Sequence, residues 1–133
     1  MNFYIVIPAH NEQDSIALTL DSLVNQTLLP KQVVVVNDNS TDGTQEIVEG
    51  FKEKHSWITL INSKSSNQHL PGSKIINAFY KGFKSLDDHY DIICKFDADL
   101  IFPKNYLEKI SKHFRENSKL GMAAGFCYIE KNE

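Results

Sequence analysis

Two aspartates, Asp97 and Asp99, sit one residue apart at the end of the apolar run "DIICKF" (91–96), and a second apolar run, "LIF" (100–102), follows them. Like charges this close cost free energy unless a cation lies between them, and carboxylate oxygens are natural ligands of hard divalent ions. Two further polar clusters close apolar runs: "PAHNE" (8–12) ends the first, and "NDNSTDGT" (37–44) ends a β-branched one. Each alone has a plain structural explanation. Asn-Asp-Asn-Ser is turn and cap chemistry, an acid in "PAHNE" suits the dipole at a helix start, and an Asp-x-Asp triplet arises often by chance. Three such clusters at equivalent positions favour one shared ligand site over coincidence.

The elements between the clusters decide whether they can meet. Residues 2–8 read as a short buried strand that Pro8 ends. Ile16, Leu20, Leu23 and Val24 recur at i, i+4, i+7 and i+8, the stripe of a helix. Residues 32–38 form a β-branched run of the kind found in parallel strands covered on both faces. Asp42, with Gln45 three residues on, suggests a capping box for a helix presenting Ile47, Val48 and Phe51. Residues 57–62 read as a third strand, and 63–72 as a polar loop closed by Pro71-Gly72. Ser73 is placed to cap a third helix that buries Ile75, Ile76, Phe79, Tyr80 and Phe83. Residues 91–97 read as a fourth strand, and Pro103 suits the first turn of a helix with Tyr106, Leu107, Ile110 and Phe114 inward. Residues 120–129 read as a fifth strand.

Strict β-α alternation implies an α/β fold with a mostly parallel sheet and helices on both faces, Rossmann-like in its order. Ligands in such sheets bind outside the carboxyl ends of the strands, where strand order reverses. All three polar clusters fall at carboxyl ends. Alternation along the fourth strand puts Asp97 and Asp99 on one side and Ala98 on the other, so both carboxylates can face one ion.

The chain has 133 residues, which suits one domain and one core, and 41% hydrophobic with 23% charged residues is an ordinary globular balance. A net charge of -3 argues against a nucleic-acid partner, since phosphate binding wants a basic face. Cys94 and Cys127 lie in apolar runs without CxxC spacing, so they read as reduced, buried thiols of a cytoplasmic chain rather than zinc ligands. There is no signal-peptide pattern and no apolar stretch near the ~18 residues that span a bilayer.

"IVIPAHNE" (5–12), "VVVVNDNSTDGT" (33–44) and "FDAD" (96–99) together resemble the successive signatures of family 2 glycosyltransferases, which have the GT-A fold. Those signatures are an opening strand ending Pro-x-x-Asn-Glu, a second ending Asp-Asp-x-Ser-x-Asp-Gly-Thr, a helix with a Leu-Asn-Ala-Gly-like stretch, and a strand ending Asp-x-Asp. "IINAF" (75–79) stands for the third, and the resemblance covers essentially the whole chain in order. Three positions depart from it: Asn37 stands for the first paired acid, Phe79 for the Gly after Asn-Ala, and Leu100 for a further acid.

The resemblance implies transfer of a sugar from a nucleoside-diphosphate donor, typically UDP-linked, to a glycan or lipid-linked acceptor with inversion. It implies Mg2+ or Mn2+ held by Asp99 and Asp97, with Asp97 also able to bond the ribose or a metal-bound water. Asp38 would accept the ring N–H of uracil, while Pro8, Ala9 and Glu12 flank base and ribose. Lys74, at the start of the third helix, can approach the diphosphate or remain a solvated lysine. His10 lies within the first cluster without a defined role. The acceptor-deprotonating base of the family lies well downstream of Asp-x-Asp. Residues 1–133 are therefore expected to be the single nucleotide-sugar-binding domain of a longer enzyme, cut short at its C-terminal end. The cytoplasmic face of a membrane is an open location. A non-catalytic nucleotide-binding module is the competing reading. A nucleotidyltransferase is a third, opposed by the absence of a Gly-rich phosphate loop after the first strand. An empty metal site would leave Asp97 and Asp99 solvent-accessible.

Overall fold

The computed structural model describes residues 1–64 and 71–116. Among these, strands β1 (Phe3–Ala9), β2 (Gln32–Asp38), β3 (Ile58–Ser63) and β4 (Ile92–Lys95) alternate with helices α1 (Ile16–Val24), α2 (Thr44–Lys54), α3 (Pro71–Lys84) and α4 (Tyr106–Glu116). The strands form one parallel sheet in the order β3-β2-β1-β4. Registers run from Tyr4↔Gln32 to Ala9↔Asn37, from Val33↔Ile58 to Asp38↔Ser63, and from Phe3↔Ile92 to Val6↔Lys95. The chain steps outward from β1 to β3, then returns past β1 to β4. Strand order therefore reverses at β1, and the switch-point crevice opens at the carboxyl ends of β1 and β4.

Right-handed crossovers dictate which face each helix covers. The two outward steps put α1 and α2 on one face, and the return step puts α3 on the other. The side chains agree. Phe3, Ile5 and Ile7 pack with Ile16, Leu20 and Leu23 of α1, Val48 of α2, and Leu107 and Ile110 of α4. Val6, Val34 and Val36 point the opposite way and meet Ala78 of α3. This two-sided burial explains the unbroken valines of β2, all buried from Val33 to Val36. No helix among the described residues is long and apolar enough to cross a membrane.

Several expectations need correction. Pro8 does not end β1, which continues to Ala9. Val6 accepts the Phe96 N–H on the β4 side, and alternation turns Pro8 toward that side beyond the last β4 pairing, so its missing N–H removes no ladder bond. The second helix has no capping box: Gly43 is its N-cap, and Gln45 reaches forward to Glu49. Asp42 instead closes an Asx turn, accepting Thr44 N–H at 3.0 Å and Thr44 O–H at 2.6 Å. The third helix begins at Pro71, so Ser73 lies inside its first turn rather than capping it.

The buried side of α3 also differs. Ile75, Ile76 and Tyr80 are 46%, 53% and 52% exposed, while Ala78 and Gly82 face the sheet. A Cβ at Gly82 would lie 2.6 Å from Val6 Cγ1 and 2.9 Å from Val36 Cγ2, so the helix approaches too closely for a larger side chain. Phe79 and Phe83 are partly buried beside that contact, as expected. Strand β4 ends at Lys95, leaving Asp97 and Asp99 in the turn beyond it. Cys94 is buried, and burial pushes its thiol up to about 12, the behaviour of an inert structural cysteine. The expected fifth strand and Cys127 lie outside the described residues.

Candidate functional site

The β1–α1 and β2–α2 loops are bonded to each other residue by residue. His10 Nδ1 lies 2.6 Å from Asp38 O; a carbonyl can only accept, so Nδ1 carries the proton. Asn11 N–H donates to Ser40 Oγ at 2.9 Å, and Thr41 N–H returns to Asn11 Oδ1 at 2.7 Å. Glu12 N–H donates to Thr44 Oγ1 at 2.8 Å, and Gln13 N–H to Asp42 Oδ2 at 3.2 Å. Gly43 N–H donates to Gln13 Oε1 at 2.8 Å. Each loop turns through a left-handed asparagine, Asn11 (φ 52°) and Asn39 (φ 59°), a conformation asparagine tolerates better than most residues. Asp42, read from sequence as a helix cap more than a ligand, serves this lacing.

The turn after β4 is held by α1. Ser15, Thr19, Ser22 and Gln26 are spaced four, three and four residues apart, one stripe of a helix. Thr19 Oγ1 donates to Ala98 O at 2.9 Å, and Ser15 Oγ shares its one proton between Ala98 O and Glu12 Oε1, each at 3.3 Å. Ser22 Oγ accepts Phe102 N–H at 3.1 Å. Gln26 donates to Pro103 O at 2.6 Å and accepts Leu107 N–H at 2.9 Å, which fixes the start of α4.

These loops and the first turn of α3 surround a cleft of about 990 Å³. All seven residues singled out in the sequence line it: Pro8, Ala9, Glu12, Asp38, Lys74, Asp97 and Asp99. Asp97 and Asp99 are exposed, while Phe96 and Ala98 between and before them are buried, so the expected alternation of sides survives past the strand end. Asp38 is buried at the end of β2. Burial, followed by the charges of Asp99, Asp97 and Asp42, raises the Glu12 carboxyl above the ordinary carboxylate range, against a lowering hydrogen bond from Ser15. Lys95 Nζ lies 3.8 Å from Asp97 Oδ1 in an exposed pair, which binds weakly and leaves Asp97 free to exchange partners.

Sequence reasoning left His10 without a role and passed over Lys64, Ile75 and Ala78, which also line the cleft. Lys64 follows the last residue of β3, so its place at a carboxyl end was the available signal. Ile75 was assigned to the core, and only the close approach at Gly82 turns it to the cleft.

Among the described residues no group of three or more His, Cys, Asp or Glu could hold a metal ion. The available donors are the two carboxylates of Asp97 and Asp99. That set fits Mg2+ or Mn2+, ions commonly bound by one or two carboxylates with phosphate oxygens and waters completing the shell. The volume matches sites that take drug- to nucleotide-sized ligands, roughly 300–1,000 Å³. The cleft thus joins an apolar floor, an acidic end and two lysines, the chemistry suited to a nucleoside diphosphate and its counter-ion.

Glycosyl transferase family 2 matches residues 4–133. The chain belongs to this family. It is 40% identical over 98 residues to the probable glycosyltransferase YdaM of Bacillus subtilis, covering 71% of this chain and 22% of that protein. Among solved structures, S. aureus TarS 1-349 in complex with UDP superposes with a TM-score of 0.69 at 29% identity, covering 89% of this chain and 33% of that one. The mannosyltransferase PcManGT of Pyrobaculum calidifontis, in complex with GDP-Man and Mn2+, gives 0.58 at 26% identity, covering 77% and 28%. The chain therefore spans about a fifth of the length of YdaM and a third of TarS 1-349.

Proposed function

We propose that residues 1–133 form the nucleotide-sugar-binding unit of an inverting glycosyltransferase. It takes a sugar from a UDP-linked donor to a glycan or lipid-linked acceptor, with Mg2+ or Mn2+. The observation that carries this reading is the meeting of Asp38, Asp97 and Asp99 on one cleft with Pro8, Ala9, Glu12 and Lys74. TarS, solved with UDP and with UDP-GlcNAc, supports uracil as the base, and the Mn2+ complex of PcManGT supports a divalent ion.

Asp38 accepts the uracil ring N–H, a bond that rejects bases lacking that donor. Pro8 and Ala9 offer the base an apolar edge, and Glu12 bonds the ribose. Lys74, in the first turn of α3, approaches the diphosphate together with the amides of that helix start. Asp99 and Asp97 hold the cation, which when bound neutralises charge on the departing diphosphate. None of the described residues is assigned the base that deprotonates the acceptor.

The test is a titration of UDP with and without Mn2+, followed by thermal stability. A ligand at about a hundredfold its Kd adds about 2.7 kcal/mol to the folded state. UDP is expected to raise the melting temperature, and more so with Mn2+. Asp99→Asn removes the Mn2+ increment, and Asp38→Ala weakens uridine even without metal. If no nucleoside diphosphate stabilises the chain under either condition, the proposal fails. Slow hydrolysis of a bound UDP-sugar separates a transferase from a binding module.

A further inference from the structure

The sheet stops positioning the chain before it reaches the two aspartates. β4 ends at Lys95, and the Phe96 N–H to Val6 O is the last bond that ties it to β1. Asp97 and Asp99 then project from a turn, and both are exposed. The peptide between them is held from below. Ala98 O accepts the Thr19 hydroxyl of α1 at 2.9 Å, and the hydroxyl of the N-cap residue Ser15, at 3.3 Å, divides its proton between Ala98 O and Glu12 Oε1.

Thr19 is the unusual member of that pair. Its side chain is fully buried, yet it sits on a helix whose buried positions are otherwise aliphatic: Ile16, Leu20 and Leu23. A valine would fill the same space and carry no hydroxyl. A buried hydroxyl is costly unless it is bonded, so its presence is explained by what it bonds. It accepts no role in the cleft, since it does not line it. Its oxygen fixes the Ala98 carbonyl, and so the plane of the Ala98–Asp99 peptide and the direction in which Asp99 leaves it.

We propose that Thr19, assisted by Ser15, is a positioning residue for the Asp97/Asp99 pair, holding their turn in the arrangement that accepts a divalent cation with a diphosphate. The proposal rests on the cation site described above. It deepens that reading, because a two-carboxylate site binds well only if its ligands are preorganised. Thr19 touches neither nucleotide nor ion. Its hydroxyl also lies 3.3 Å from Ser15 O, one turn back, but the shorter bond, 2.9 Å to Ala98 O, is the one that reaches the turn.

The closing experiment compares Thr19→Val, Thr19→Ser and wild type in three measurements on the whole chain. The first is UDP affinity without metal. The second is the gain in UDP affinity on adding Mn2+. The third is amide hydrogen exchange at Asp99 and Leu100 in metal-free protein. Loss of one buried hydrogen bond corresponds to a change of about tenfold. Thr19→Val is expected to leave metal-free UDP affinity within about twofold, to cut the Mn2+ gain about tenfold, and to speed exchange at Asp99 and Leu100 about tenfold. Thr19→Ser restores all three. If Thr19→Val does not fold, Ser15→Ala gives a smaller change in the same direction, read by exchange alone because Ser15 also bonds Glu12. The proposal is overturned if the valine variant keeps wild-type exchange at Asp99 and Leu100, or if metal-free and Mn2+-dependent affinities fall together. Wild type that binds no UDP at all counts against the proposed function, while the metal-free exchange result still decides the part played by Thr19.

Discussion

On one face of the sheet, Phe3, Ile5 and Ile7 are covered by three helices, and α1 ties the loops above them with a stripe of hydroxyls and an amide. On the other, among the described residues, Val6, Val34 and Val36 meet Ala78, Phe79 and Gly82 of α3, with Leu86 just beyond its end. The first face is thick, closed and bonded. Among the described residues the second carries a single helix, which turns Ile75, Ile76 and Tyr80 outward. The cleft draws one wall from each. Its acidic wall stands on the bonded face, where ligands of an ion need fixed directions. Its other wall, with Lys74 and Ile75, stands on α3, which the smallness of Ala78 and Gly82 lets close on the sheet and which Lys81 ties to Ser63 of β3 at 2.7 Å.

The largest expected difference lies between matched truncations on the two helices. Leu20→Ala should cost ~2–5 kcal/mol, the range for a buried leucine that leaves a cavity. Ile76→Ser, on the exposed side of α3, should stay within ~0.5 kcal/mol of wild type. Urea unfolding midpoints measure both. A loss at Ile76 as large as that at Leu20 would show that this side of α3 is covered, and the contrast between faces would fall.

The closeness of α3 gives the next test. Gly82→Ala pushes a methyl into Val6 and Val36, both β-branched and anchored in strands, and is expected to cost ~1–3 kcal/mol. Gly50→Ala in α2 meets nothing within 4 Å. It should stabilise by ~0.5–1 kcal/mol, since alanine loses less entropy in a helix. Equal and favourable effects at both glycines would mean that α3 can rise from the sheet without loss. UDP affinity of Gly82→Ala sharpens the point, because a lifted α3 also displaces Lys74 and Ile75.

The order and kind of the described elements were legible because hydrophobic period and turn residues agree along β1, α1, β2 and α4. The gathering of Pro8, Glu12, Asp38, Asp97 and Asp99 was legible because alternation sends every carboxyl end to one edge. The orientation of α3 was not. Ile75, Ile76, Phe79, Tyr80 and Phe83 outweigh Ala78 and Gly82 in any count of apolar residues, yet close approach favours the small ones. The brace from α1 was hidden for a related reason. Ser15, Thr19, Ser22 and Gln26 look like a solvated side of an amphipathic helix, and nothing in the sequence says that backbone of the β4–α4 segment lies against them. Gln45 mimicked a capping box because spacing alone cannot tell a cap from an i,i+4 partner such as Glu49.

The smallest effect concerns the far end of the α3 face, where a charge-assisted hydrogen bond adds to the packed rings of Tyr4, Tyr90 and Phe83. The Tyr4 ring is fully buried, and its hydroxyl donates to Asp87 Oδ1 at 2.5 Å. That bond raises the phenol from 10.0 to about 12, with burial second, and it is the main cause holding the Asp87 carboxyl below its ordinary 3.8. The signs follow from linkage. Asp87 is depressed in the folded state, so its contribution is present above 3.8 and is lost as pH falls through the lowered value. Tyr4 is raised, so its contribution is present below 10.0 and is lost as pH rises toward about 12. Tyr4→Phe should therefore destabilise most between 3.8 and 10.0, and its cost should shrink as pH moves out of that window on either side. Unfolding midpoints at roughly pH 3, 7 and 11 test this. Leu20→Ala, on the bonded face and without a titrating partner, should cost the same at pH 7 and 11. If Tyr4→Phe also costs the same at every pH, the Tyr4–Asp87 bond contributes nothing to the folded state, and packing alone holds this end of the α3 face.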